Sequence, residues 1–550
     1  MIYTRKSLLL AALLAALPAL AHAEKSTVCT ITLNSADERE TFRQYLPEDQ
    51  YEFVELVEHG RPDWLASACR RGVSCDVLLV SGHFAGTEFY SSRFDANETL
   101  PVDEMERAQC SASCPGLFSR LKEVYLFGCD TLKPEPVKSA APEIVRGLVR
   151  AGEGRAQAER LARALSERYG ESSRDLMRRL FANVPVIYGF SSLAPYGRVA
   201  GPLLTRYFDT GVAPEIGSGQ PSERLLKLFG PTNMTVTTGM SDAEANADFR
   251  TEVCRFYDDR LSPAQKLAFI HATVGGEMAD ARMSFDRIER FFAALTDEER
   301  RDDAFVRALG TMARDRATRE RYVALVRDTE DPALRVRMIA LARTVGWLSP
   351  HEQRAELVRM IVDMLAGTAV GYGEVDLICT LNKDRELDTE LAQFKVSSLP
   401  ARETAQAAAH ACLGSAAGRA RVLQAIASPD EQDVQIAQAY LRHWPMTEAS
   451  ELRAVALGIA RMPGSQAQVR ALDTLARHHI SDREVLGELV RLYARATSVS
   501  VQRAIAEIFI RSDLRAIAAP ELAEQLRQHR LRSPEGEDLI DVLIRRLEAA

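Results

Sequence analysis

Several common signatures are missing from this 550-residue chain. It has no Cys-x-x-Cys pair, which removes a thioredoxin-like redox motif. Its ten His are scattered, and no His/Cys group has the spacing of a zinc site. Its glycine-rich stretch, Gly367-Thr-Ala-Val-Gly-Tyr-Gly373, lacks the Lys-Ser/Thr ending and the preceding strand of a phosphate loop, and reads as an inter-helix loop. A basic excess is missing too. The formal charge is −8, and an acidic, well-mixed surface argues against nucleic acid as the main partner. Beyond residue 23 no apolar run approaches the roughly 20 residues of a membrane-spanning helix. No cofactor and no membrane span are expected.

Arg5 and Lys6 precede an apolar run from Leu8 to Leu20, broken only by Pro18, and Ala21-His22-Ala23 supplies a small-x-small cleavage site. Residues 1–23 thus read as a secretory signal peptide, with a periplasmic or secreted mature chain starting near Glu24. Loss of Arg5 and Lys6 takes the charge from −8 to −10. In such a compartment cysteines can pair. There are nine, six of them before residue 130: Cys29, Cys69, Cys75, Cys110, Cys114 and Cys129. Cys110 and Cys114, in Cys-Ser-Ala-Ser-Cys, are candidates for a local disulfide, and Cys69 with Cys75 is another; spacing alone leaves the connectivity open.

From Ser26 to about Phe208, strand and helix signals alternate. Thr27–Leu33, Tyr51–Val57, Cys75–Val80, Val124–Phe127 and Val184–Gly189 read as strands, with helical stretches between them and a long Ser-, Cys- and Pro-rich loop before the fourth. Such alternation implies a mostly parallel sheet with helices on both faces, an α/β domain assigned to residues 24–240. Nine Arg between Arg146 and Arg179 face several acidic neighbours at helical spacing and read as a solvated face.

After about Ser241 strand signals nearly vanish. Ser262-Pro-Ala-Gln265, Ser349-Pro-His-Glu352 and Ser428-Pro-Asp-Glu431 each set a Ser N-cap before Pro, with Gln or Glu three residues on. A degenerate repeat links Val336–Arg343, Val434–Arg442, Val469–Arg477 and Val501–Phe509, the last three beginning 35 and 32 residues apart. Residues 241–550 therefore read as an all-α domain of stacked helical pairs, similar to a HEAT-like solenoid, with a plain helical bundle as the alternative.

The chemistry-bearing feature is a pair of strand ends. Cys75-Asp-Val-Leu-Leu-Val-Ser-Gly-His83 and Glu123-Val-Tyr-Leu-Phe-Gly-Cys129 are apolar runs ending in Gly-His and Gly-Cys. Parallel sheets carry their chemistry at the carboxyl ends of the strands, so neighbouring strands would bring a Cys nucleophile beside a His base. The glycines, Gly82 and Gly128, are read as allowing a sharp turn.

Ser81-Gly-His83 and Phe127-Gly-Cys129, 46 residues apart from His to Cys, resemble the caspase-like clan of cysteine peptidases and its CHAT-type domains over about residues 26–208. The resemblance implies a caspase-like fold, His83 as general base and Cys129 as nucleophile, with the backbone amides of Gly82 and Cys129 as oxyanion donors. It also implies a protein or peptide substrate. Phe84 and Ala85 stand where many members have Gly after the His. No third residue is identifiable as an orienter of His83. The helical repeats are expected to bind a protein partner or position the substrate. The alternative function is a non-catalytic caspase-like/HEAT-repeat protein-binding scaffold. The stretch after the fifth strand, Tyr188–Tyr196 with Val199–Leu204, is either a substrate-facing loop or a plain strand-to-helix connection.

Overall fold

The computed structural model describes residues 25–61, 63–91, 98–136, 140–150, 152–244, 246–367, 370–392, 403–512, 519–531 and 538–548. The signal peptide read over residues 1–23 lies outside them. The chain divides into two compact units, Met1–Asp328 and Thr329–Ala550.

The first unit contains strands β1 (Ser26–Thr32), β2 (Tyr51–Glu55), β3 (Val77–Ser81), β4 (His83–Phe84), β5 (Glu88–Tyr90), β6 (Thr99–Pro101), β7 (Glu123–Phe127), β8 (Val186–Phe190) and β9 (Met234–Thr237). Six of them form one sheet in the order β2-β1-β3-β7-β8-β9, parallel except for β9, which runs antiparallel to β8. The central strands β3, β7 and β8 are buried at every position, as their unbroken apolar runs require of a sheet covered on both sides. Alternate residues feed two cores. Leu78, Val80, Val124 and Leu126 join one that is closed by Leu65, Met105, Met177 and Leu180; Val77, Leu79, Tyr125 and Phe127 join the other, closed by Phe42, Leu204, Phe208 and Phe229. The expected mostly parallel α/β sheet with helices on both faces is present.

Two expectations about the elements and the boundary of this unit are corrected. The stretch read as a loop before the fourth strand holds β4, β5 and β6 as a small antiparallel sheet, and the helix Val102–Cys110. Strands of two or three residues are too short for an alternating pattern to show. The boundary near residue 240 is also displaced, to Asp328. The helices Ala247–Tyr257 and Met278–Ala294 are fastened to the sheet unit by the Cys110–Cys254 disulfide, by Arg287 at 2.6 Å from buried Glu106, and by Arg282 at 2.6 Å from Glu143. A composition shift from strand to helix marked a change of secondary structure, not of core.

The disulfides are Cys29–Cys75, Cys69–Cys114, Cys110–Cys254 and Cys379–Cys412. The local pairs Cys110–Cys114 and Cys69–Cys75 do not form. Cys110 ends its helix facing the helix Ala247–Tyr257, while the Asp259 carboxylate accepts from the N–H groups of Ala112 and Ser113 and from Ser111 Oγ, holding that turn open. Cys114 is thereby delivered to the helix Trp64–Arg70 instead. In the arginine-rich stretch Arg155 pairs with Glu159 inside it, Arg150 with Asp328 and Arg178 with Glu244 beyond it, and Arg179 departs from the solvated reading, buried 3.9 Å from Glu106.

In the second unit all described elements are helices, sharing a core that runs from Val358 to Leu547. From Ala416 onward the helices pack on the next but one. Glu431–His443, Gln466–Leu475, Val499–Arg511 and Leu539–Glu548 follow one another in this way, and so do Ala416–Ala425, Ala449–Ala460, Arg483–Arg495 and Ala519–Gln528. Buried Gln468 donates to Ile459 O and Met462 O, and Gln502, 34 residues later, donates to Tyr493 O and His529 O. The capping boxes at Ser262 and Ser349 form as read. At the third site the cap is Asp430, whose carboxylate accepts from Gln432 and Asp433; Ser428 lies two residues too early. Among the described residues no helix is long and apolar enough to cross a membrane.

Candidate active site

β3 and β7 pair in parallel, with Ser81 opposite Phe127 at the carboxyl end. Two residues further on, His83 and Cys129 stand in corresponding positions at the same sheet edge. Both are partly buried and both line one cleft of about 170 Å³, whose walls include Asn34, Glu38, Leu193 and Tyr196. Eight of the nine cysteines are tied in disulfides; Cys129 is the free one.

The glycines before these residues serve close approach and not a turn. A Cβ on Gly128 would lie 2.9 Å from the Gly82 carbonyl oxygen, and one on Gly82 would press on Leu33 Cβ at 3.3 Å. Only two bare backbones can come together so closely at this point. The reversal itself falls on Asp130, at φ 58° in the left-handed region that Asp tolerates better than most residues. Its N–H donates to Ser192 O at 2.8 Å, and buried Thr131 donates from Oγ1 to Gly128 O while accepting from Phe190 N. The thiol is therefore carried on a tightly braced turn, and Cys129 Sγ accepts from the Ala194 N–H at 3.3 Å.

His83 opens β4 and its ring lies 5.4 Å from that of Tyr90. Its Nε2 is 3.3 Å from Asn34 Nδ2. With Nδ2 as donor, Nε2 is the acceptor and Nδ1 carries the hydrogen of the neutral ring. Asn34, just past β1, is thus a resting partner of the His83 lone pair that the sequence did not reveal: it belongs to no motif and meets His83 only because β1 and β3 are neighbours. Phe84, where Gly was expected, is buried against Phe89 with ring centroids 4.7 Å apart, and its side chain closes the small sheet onto the core.

The oxyanion expectation divides. The Gly82 N–H donates to Phe127 O at 3.2 Å and is committed to strand pairing, so it is withdrawn as a donor. The Cys129 N–H has no acceptor among the described residues. The loop after β8 faces the cleft: Leu193 is 75% exposed and Tyr196 64% exposed, which favours the substrate-facing alternative. Among the described residues no group of His, Cys, Asp and Glu gathers in a form that could hold a metal ion.

Comparison of the chain with family models, with curated proteins and with solved structures returned no match.

Proposed function

We propose that this chain is an exported caspase-like cysteine peptidase using a Cys129/His83 dyad, with a HEAT-like solenoid that engages protein partners. One observation carries the reading: the thiol left out of four disulfides shares a cleft with a partly buried histidine at the carboxyl edge of a parallel sheet. Disulfides on this scale suit an oxidising compartment, where an unpaired thiol calls for an explanation.

An ordinary thiol is only a few per cent ionised at neutral pH. Here His83 takes the proton on Nε2, which exchanges its contact with Asn34 for the thiol, and the thiolate forms beside the Ala194 N–H. Cys129 Sγ attacks the scissile carbonyl carbon, and the Cys129 N–H stabilises the resulting oxyanion, a contribution of roughly 3 kcal/mol per donor in acyl-transfer enzymes. The C–N bond breaks as imidazolium protonates the leaving amine. Water then hydrolyses the thioester, releasing a carboxylate and restoring the thiol. For the second unit, the next-but-one packing of helices and the 34-residue recurrence of the buried glutamines support the solenoid, whose extended faces suit protein binding.

Because the other cysteines are paired, iodoacetamide under non-reducing conditions reads Cys129 alone. We expect one adduct per chain in the wild type, none in Cys129→Ala, and a slowing of roughly tenfold or more in His83→Ala, the scale of a lost general base. Equal rates in wild type and His83→Ala, with both folded by circular dichroism, would overturn the dyad and leave the scaffold reading.

A further inference from the structure

Among the described residues Glu38 is the one carboxylate lining the cleft. It lies in the first turn of the helix Asp37–Tyr45 and is only 2% exposed, and its Oε2 accepts from Ser81 Oγ at 2.9 Å. Ser81 is the last residue of β3, two before His83, so this carboxylate sits at the inner end of the same cleft that holds the dyad. Among the described residues no Arg or Lys lines the cleft to neutralise it. Burial raises the Glu38 carboxyl above its ordinary value, against the lowering influence of its hydrogen bonds. A buried carboxylate without a cation is an electrostatic vacancy that a guest of opposite charge would fill.

The cleft mouth has the opposite character. Leu193 and Tyr196 present apolar surface to solvent beside it. An apolar entrance above a single buried carboxylate matches an amphipathic chain, with an aliphatic stem for the walls and a cationic tip for the floor. A cavity of about 150 Å³ admits a benzene-sized guest, so about 170 Å³ is ample for one such side chain.

Resting on the peptidase reading above, we infer that the cleft selects peptides with Arg or Lys on the acyl side of the scissile bond, and that Glu38 is the residue that selects them. Glu38 does not touch the reacting atoms; its role is recognition. An acidic residue at that position of the substrate would meet Glu38 as a like charge, and an apolar one would leave it unpaired.

The test uses the full chain and peptidyl acyloxymethyl ketones bearing Arg, Lys, Leu or Asp next to the reactive group, with Cys129 adducts followed by intact mass. We expect the Arg and Lys probes to react at least about 30-fold faster than the Leu and Asp probes, the scale set by one desolvated charge pair. Glu38→Gln should reduce the Arg-to-Leu rate ratio roughly 30-fold, whereas Glu38→Asp, which keeps the charge, should retain a preference for Arg. A measurement that needs no variant is protection: butylguanidinium should shield Cys129 from iodoacetamide, and the isosteric neutral butylurea should not. Fast labelling without an Arg or Lys preference, or an Arg preference undiminished in folded Glu38→Gln, would overturn this inference and leave the dyad standing. If Cys129 reacts with every probe no faster than an unactivated thiol, the dyad reading fails and takes this one with it.

Discussion

The two units of this chain use polar groups in contrasting ways. In the sheet unit each such group is singular. Glu106 lies 2.6 Å from Arg287 and 3.9 Å from Arg179, and Glu123 accepts from Tyr125 Oη and from the Gly219 N–H. In the helical unit polar groups recur: Gln468 and Gln502 bind the carboxyl ends of preceding helices, and Asp331, Asp430 and Asp482 each cap a helix by accepting from two N–H groups. A repeating unit spreads its stability over equivalent small contributions. The sheet unit concentrates it in a few sites that cannot substitute for one another, and that rigidity is what an active-site edge needs.

The largest expected effect lies in the sheet unit. Burial lowers both guanidiniums and Glu106 raises both: for Arg287, in direct contact, the carboxylate prevails and holds it above its ordinary range, whereas Arg179, farther away and repelled by Arg287, is lowered to about 10 by burial. Glu106→Gln leaves two buried guanidiniums without their carboxylate, and a loss of about 3–5 kcal/mol is expected in denaturant unfolding of this unit. The pH dependence has a definite sign. Burial pushes the Glu106 carboxyl up and the two guanidiniums pull it down further, to below its ordinary 4.5. A depressed carboxyl stabilises the fold above the unfolded value and loses that contribution as pH falls beneath it. The gap between wild type and Glu106→Gln should therefore be widest near neutral pH and close on acidification. A gap that widens towards acid would contradict this account of the cluster.

Next comes Gly128→Ala, which sets a methyl 2.9 Å from the Gly82 oxygen and 3.2 Å from Phe84 Cβ. The overpacking should cost about 1–3 kcal/mol, and iodoacetamide labelling of Cys129 should change more than the melting temperature does. An unchanged labelling rate would mean that the glycine contact does not position the thiol. The smallest effect is expected in the helical unit. Asp331→Ala removes the acceptor of the Ala333 and Leu334 N–H groups and should cost about 1 kcal/mol, confined to that unit's unfolding transition. A loss as large as that of Glu106→Gln would break the contrast between concentrated and distributed stability.

Much of this was legible in the chain. Apolar runs of strand length, the recurring Ser and Pro helix starts and the Gly-His and Gly-Cys strand ends report local preferences, and local preferences survive folding when burial agrees with them. The coming together of His83 and Cys129 followed from those runs once β3 and β7 were neighbours. What was missed depends on partners distant in sequence. Asn34 reaches His83 across 49 residues, Glu38 reaches Ser81 across 43, and Cys110 finds Cys254 across 144. The Gly82 amide was misread because its acceptor is on another strand.

By itself, then, the amino-acid sequence determined the long strands of the parallel sheet, most of the helices, and that an imidazole and a thiol follow two buried strands. The tertiary structure alone decided which cysteine stays free, which amide stays open, where the first core ends and which carboxylate faces the cleft. The division has a physical reason: propensity and periodicity act within a few residues of each other, whereas desolvation, close packing and disulfide pairing are properties of neighbours that only the folded chain brings together.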